Sequence, residues 1–382
     1  KTMAKKLIEI ATKGYLYSLK TEKRCWKHKW QSICSITNNN TLNKKEKDVL
    51  SKITSMNTDD RNNYCYQTIK YLLENKYNHD DSDIKSYPLD CFNTIKITEG
   101  ADLNICIFTG ITFDILVSML YLQKLHSNVC IPLNSDPINN PTLKSHYISL
   151  GYNINSRTEF MNFEIIWSAK KLFYPVDFRN TLKRCLKKNK RFVIIPFGIE
   201  GQLESHANIL IYDSKQKIIE RFEPNGSTSP SDFDYNSKLL DSILTRKFED
   251  LFPDAKYLSP IDYLPKIGFQ IYDINDSVNS KLGDPDGFCA AWTVWYANMR
   301  VTYPDLHPRK LVKKLIETAR RENISFKNMV RNFTKPIIEF RTEIFNKAKI
   351  DINQWINNNY STKQEEILKK EITDLINKKK RN

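Results

Sequence analysis

The sequence predicts an α+β chain, with short strands grouped in its middle and helices around them and at both ends. Three observations carry this. The apolar runs Phe192–Phe197, Ala207–Tyr212 and Ile218–Glu223 follow one another closely and are strand-length. Leu239–Leu251 and the segment that begins at Cys289 repeat apolar residues at helical spacing. Residues 1–90 and 304–382 read as helix broken only by loops.

In chain order, residues 1–90 form a basic, helical accessory domain with no chemical motif; Ala4–Leu19 and Tyr64–Leu73 are its helices, and Asn38–Asn40 and Asn57–Asn63 its loops. Residues 91–303 form the core domain. There, Asn104–Phe108 reads as a strand and Phe113–Leu125 as a buried helix. Val129–Leu133 and Phe163–Trp167 read as strands, and Val176–Lys188 as a helix with a basic last turn, which its dipole favours. After the three strands named above come a Pro/Asn/Gly/Ser loop from Pro224 to Pro230, the helix Leu239–Leu251, and a further short strand at Gly268–Tyr272. A Gly/Pro/Asp turn, Gly283–Gly287, then enters an apolar helix at Cys289. Residues 304–382 form a helical extension, with Leu311–Ala319 and Ile337–Phe345 periodic and a basic tail Lys378–Arg381.

The 382 residues carry a net charge of +15 and a pI near 9.2, which favours acidic partners and makes nucleic acid a possible one through the basic surface and tail. The eight cysteines contain no CxxC pair and no zinc-ligand spacing, so no metal or other cofactor is expected. Neither a secretory signal nor a membrane-length apolar run is recognisable, so no membrane is expected as a partner. Together these predict free thiols in an intracellular, reducing compartment.

Cys289 stands out because it falls in the first turn of its helix, where unpaired N–H groups and the dipole stabilise a thiolate, the reactive form. Gly287 permits close backbone approach before it, and Asp286 reads as a cap for the helix. Upstream, His206 opens one strand and Glu223 closes the next. If Ser214–Lys215 is a two-residue hairpin loop, His206 opposes Glu223, with Cβ atoms about 5 Å apart on one sheet face. Glu223 would then hold one ring nitrogen and leave the other for a thiol. Ser-Lys is not a favoured two-residue turn, however. A four-residue loop would put Asn225 opposite His206 and makes it the reserve orienter; Glu220 has the parity of the other face. Gln270 is the best side-chain amide for an oxyanion site alongside the Cys289 N–H. The helical spacing of Trp292, Trp295 and Tyr296 reads as core more readily than as a substrate groove.

The order His206, Glu223, Gln270, Cys289 resembles the thiol proteases that include adenoviral and ubiquitin-like-protein (SUMO-type) proteases. Ser205–Asp213, Phe222–Gly226 and Gly287–Trp292 look especially like the predicted thiol proteases of large DNA viruses. The match covers residues 190–303. Ala207 stands where the family usually has an aromatic residue, and the 19-residue interval from Gln270 to Cys289 requires an insertion.

The resemblance implies a papain-like cysteine protease fold of the adenain/SUMO-protease type, with a small central mixed sheet. It implies attack by Cys289, with His206 as base and acid, Glu223 orienting it, and Gln270 at the oxyanion. The expected substrate is a viral structural protein cut after small residues, in host cytoplasm, virus factory or virion. The alternatives are a deubiquitinase or SUMO-type isopeptidase acting on host conjugates, an acetyltransferase on the same fold, and a non-enzymatic basic virion protein.

Overall fold

Strand β4 (Phe192–Glu200) is apolar along nearly its whole length because both of its faces are covered. The computed structural model describes residues 95–378 apart from 101–105, 107, 152–160, 189, 202–204, 231, 232, 234, 283 and 286. The predicted domain 1–90, most of the strand predicted at Asn104–Phe108, the capping residue Asp286 and the tail beyond Lys378 lie outside the described residues. The sheet with its surrounding helices belongs to one compact unit, residues 97–382.

The described elements run α1 (Thr112–Leu125), β1 (Val129–Cys130), α2 (Pro141–Ser149), β2 (Ile165–Ser168), β3 (Lys171–Phe173), α3 (Phe178–Lys187), β4, β5 (Ser205–Asp213), β6 (Ile218–Phe222), α4 (Ser237–Leu251), β7 (Lys256–Leu258), α5 (Pro260–Tyr263), α6 (Phe269–Ile274) and α7 (Cys289–Thr302). Five more helices follow: α8 (Pro308–Arg321), α9 (Phe326–Phe333), α10 (Lys335–Ala348), α11 (Ile352–Ile356) and α12 (Thr362–Lys378). The fold is α+β, as predicted. One mixed sheet runs β3-β2-β4-β5-β6-β7, with β1 parallel to the start of β4. β5 runs antiparallel to both β4 and β6, whereas β2 joins β4 and β7 joins β6 in parallel.

Alternation along the strands sends Val193, Ile195, Phe197 and Ile199 of β4, with Leu210, Tyr212 and Ile219, into a core closed by α3 and α4 through Leu182, Leu240, Leu244 and Phe248. The opposite face receives α7, whose Tyr296 ring stacks on Phe222 at 4.0 Å. Glu220 points to this second face, as its parity requires. Its carboxylate accepts hydrogen bonds from Tyr296 Oη and Arg300 Nε, both at 2.7 Å, and Arg300 also pairs with buried Asp213. Trp292, Trp295 and Tyr296 are core residues.

Three sequence readings change. The segment at Gly268–Tyr272 is helix, not strand: its inward-facing residues, Phe269 and Asp273, are four apart, the helical period. The hairpin between β5 and β6 uses the four-residue loop. Asp213 pairs with Ile218 and Ile209 with Phe222, while Lys217 takes a left-handed φ of 54° and Asp213 Oδ1 accepts the N–H groups of Lys215 and Gln216. That side-chain acceptor stabilises a longer turn than the dipeptide Ser-Lys would support. Finally, not all thiols are free. Cys130 on β1 and Cys185 on α3 form a disulfide across 55 residues, because the two elements bring their Cα atoms to 5.6 Å. Among the described residues no helix is long and apolar enough to cross a membrane.

Candidate active site

The site forms where the β5–β6 pair ends and α7 begins. His206 is the second residue of β5, and Glu223 follows the last residue of β6. In the observed register, continued one step past its last pair, Glu223 lies opposite Asn208, and His206 is the diagonal neighbour. A slip of two residues preserves the face on which a side chain stands, so His206 and Glu223 still share one. His206 Nε2 and Glu223 Oε1 are 2.6 Å apart, with 6% and 1% of the side chains exposed. The Phe233 ring tilts against the imidazole at 5.9 Å.

Glu223 is hydrogen-bonded on every side. Oε1 also accepts the backbone N–H of Asn225 at 3.0 Å. Oε2 accepts Asn208 Nδ2 at 3.0 Å and Tyr235 Oη at 2.7 Å. Arg221 Nη1 lies 3.9 Å from Oε2. Burial alone would raise the Glu223 pKa, but the imidazole, the guanidinium and the Asn208 amide outweigh it and hold the carboxyl below its ordinary value. Asn225 thus meets the acid through its backbone, and it is Glu223 that holds the ring.

Cys289 is the first residue of α7 and is half-buried. The helix N-cap is Phe288, whose side chain makes no capping hydrogen bond. The thiol is hydrogen-bonded to His206; with Nε2 engaged by Glu223, Nδ1 is the ring nitrogen that remains for it. Burial would raise the Cys289 pKa, but the His206 hydrogen bond and charge, with the N–H groups of Ala207 and Ala290, bring it below 9.0. Burial likewise works against the His206 cation, yet the Glu223 carboxylate, followed by the Cys289 hydrogen bond, raises its pKa to about 10. All three shifts act in the direction of a thiolate beside an imidazolium beside a carboxylate.

Gln270 reaches the same place from α6. Its Nε2 lies so near Gly287 that an added Cβ there would sit 3.2 Å from it, and its Oε1 is buried without a hydrogen-bond partner among the described residues. Two glycines fix this approach. Gly268 N donates to Asn225 O at 2.8 Å and Gln270 N to Pro224 O at 3.0 Å, so the segment after Glu223 lies directly on the start of α6. A Cβ on Gly226, whose φ is 113°, would meet Pro265 O at 2.5 Å; one on Gly268 would meet the Asn225 carbonyl carbon at 2.4 Å. Trp292 Nε1, donating to Asp273 Oδ2 at 3.1 Å, ties α6 to α7.

The long interval between Gln270 and Cys289 is anchored from the C-terminal helices. Asp276 Oδ2 accepts Ser325 Oγ and the Lys327 N–H at the start of α9. Fully buried Arg331 grips Asp284 through Nε at 2.9 Å and Nη2 at 2.6 Å. The structure therefore brings His206, Glu223 and Cys289 together, sets the Gln270 amide beside Gly287, two residues before the thiol, and leaves Asp286 outside the described residues. Asn208, Arg221, Tyr235 and Asp241 escaped the sequence reading. A polar Asn208 and a charged Arg221 inside apolar strands were the available signals; Tyr235, in a loop, offered none. Among the described residues no group of three or more His, Cys, Asp or Glu side chains could hold a metal.

No family model matches the chain. A protein of Acanthamoeba polyphaga mimivirus that carries an ankyrin-repeat name is 32% identical over 361 residues, covering 92% of this chain and 44% of the relative, so the chain spans less than half of that protein's length. Among solved structures, the SUMO protease Ulp1, with its catalytic cysteine oxidised to a sulfinic acid, is 12% identical over 59% of this chain and 77% of its own, at a TM-score of 0.26. ChlaDub1 from Chlamydia trachomatis is 11% identical over 65% and 95%, at 0.30. The Chlamydia abortus effector ChlaDUB is 15% identical over 58% and 98%, at 0.25.

Proposed function

We propose that this chain is a cysteine protease of the adenain/SUMO-protease type, hydrolysing peptide or isopeptide bonds with Cys289, His206 and Glu223. The observation that carries the reading is the buried Glu223–His206 pair at 2.6 Å with the Cys289 thiol hydrogen-bonded to the same ring. Nucleophilic acyl chemistry needs a thiolate at neutral pH, a proton carrier beside it and a fixed acid behind the carrier.

The Cys289 thiolate attacks the substrate carbonyl carbon, forming a C–S bond as the C=O electron pair moves to oxygen. The Gln270 Nε2 and the Cys289 N–H stabilise that oxyanion; one such donor contributes about 10²–10³ in kcat. His206 gives its Nδ1 proton to the leaving nitrogen as the C–N bond breaks. Water then attacks the thioester, passing a proton to Nδ1, and the sulfur leaves as thiolate. Glu223 keeps the ring aligned and the imidazolium stable throughout.

The substrate we favour is a viral structural protein cut after small residues. The test compares wild type with Cys289→Ala on a panel of virion proteins and of ubiquitin- and SUMO-type conjugates. Cleavage by the wild type alone is expected. Equal cleavage by both proteins, or none by the wild type on any substrate, refutes the reading. An electrophilic probe built on a ubiquitin or SUMO C-terminus separates the two substrate classes, because efficient labelling of Cys289 assigns an isopeptidase.

A further inference from the structure

Behind the acid lies a second layer that the reaction above does not use. Arg221 is 1% exposed and carries a full charge, yet it does not bond Glu223 directly: Nη1 stops 3.9 Å from Oε2. Instead Nη1 donates to Asn208 Oδ1 at 2.6 Å and to Tyr235 Oη at 3.3 Å. Each of these neutral groups then donates to Oε2 of Glu223. The guanidinium thus reaches the carboxylate through two hydrogen-bonded bridges. Its other edge is taken by Asp241 of α4 in a two-point contact, Nε to Oδ1 and Nη2 to Oδ2, both at 2.8 Å. Tyr257 of β7 donates to Asp241 Oδ1 at 2.7 Å, and Tyr263 of α5 to the Arg221 carbonyl at 3.1 Å. With His206 of β5 and Cys289 of α7, these are, among the described residues, the polar and charged side chains gathered around Glu223.

The consequence is specific. A guanidinium bound directly to Glu223 would compete with His206 for the carboxylate. Two bridges fill the Oε2 positions, prevent rotation and leave Oε1 to the imidazole and the Asn225 N–H. Asp241 cancels most of the charge that Arg221 would otherwise project onto the His206–Cys289 pair.

We infer that Tyr235 and Asn208 are positioning residues that couple Glu223 to Arg221, and that Asp241 sets the electrostatic level at which Cys289 and His206 exchange a proton. The inference rests on the protease reading above. Its test does not require a substrate. In the full chain, the rate of Cys289 alkylation by iodoacetamide is followed against pH, with the modified peptide quantified by mass spectrometry.

Asp241→Asn leaves the Arg221 charge uncompensated, which favours thiolate and opposes imidazolium. Both limbs of the pH profile should move down, by about one pH unit. Tyr235→Phe removes a donor from Glu223 and leaves the carboxylate more negative, so both limbs should move up. Asp241→Glu should restore the wild-type limbs. A purely structural role would scale rates without moving limbs, and would not give shifts of opposite sign. Unmoved limbs in both variants, with a wild-type Cys289 that reacts well below pH 9 and loses this on His206→Ala, overturn the positioning role alone. If wild-type Cys289 reacts as an ordinary thiol regardless of His206, the protease reading fails and this inference fails with it.

Discussion

Replacing Glu223 with glutamine preserves the size of the side chain and removes its charge. In the wild type the acid and the ring are 2.6 Å apart and almost fully excluded from water. Breaking one partner of such a pair costs about 3–5 kcal/mol, and a pKa unit corresponds to about 1.4 kcal/mol, so the His206 pKa should fall by roughly 2–4 units. From about 10 that brings it to roughly 6–8, across neutrality. An imidazole ring titration by NMR on 15N-histidine-labelled protein measures this directly; the chain has six histidines, and His206→Ala identifies the signal.

The stability difference has a defined pH window. The pKa of His206 is raised by folding from 6.5, so the stability it lends is complete below about 6.5 and is lost as pH rises through about 10. Glu223 is shifted the other way, from 4.5 downward, so its contribution is present above 4.5 and is lost as pH falls through its folded value. The gap between wild type and variant should be widest between those limits and close on either side. His206 titrating at the same pH in both proteins would refute the reasoning.

Gly226→Ala and Gly268→Ala should each destabilise the chain by about 2 kcal/mol or more, since the new Cβ meets backbone atoms that cannot yield. Gly110→Ala, with φ of 68° and open space around it, should cost only about 1 kcal/mol in the same denaturant titration. Cys185→Ala should lower stability by about 4 kcal/mol, the loop-closure value for a bridge spanning 55 residues, and reductant should lower the wild-type Tm more than the variant's. Arg300→Met leaves Glu220 and Asp213 buried without their shared cation and should cost about 3–5 kcal/mol near neutral pH. Because burial raises the Glu220 pKa, that loss should shrink in acid as the carboxyl is protonated, which thermal melts at pH 5 and pH 8 would detect.

The sequence made the central strands and the Cys289 helix legible because their apolar residues follow the periods of sheet and helix closely. It placed His206 and Glu223 on one face through a two-residue hairpin loop that does not exist. The placement survives because the true register differs by two, an even number. Gly268–Tyr272 misled for the opposite reason: over five residues a buried helix and a buried strand look alike, and its inward face is set by α7 and α9. The Cys130–Cys185 bridge had no local sign, since only the packing of α3 beside β1 brings the sulfurs together. Tyr235 and Asp241 were invisible for the same reason; each acts across the fold on a group more than ten residues away.

The grip of Arg331 on Asp284 bears on how the protein can be dissected. A fragment cut after Tyr303 would retain the whole His206-to-Cys289 signature, yet it would discard the guanidinium and the Ser325 hydroxyl that brace the chain between Gln270 and the nucleophile. Such a truncation would leave the carboxylates of Asp276 and Asp284 without those partners, and the span that leads to the thiol without its C-terminal braces.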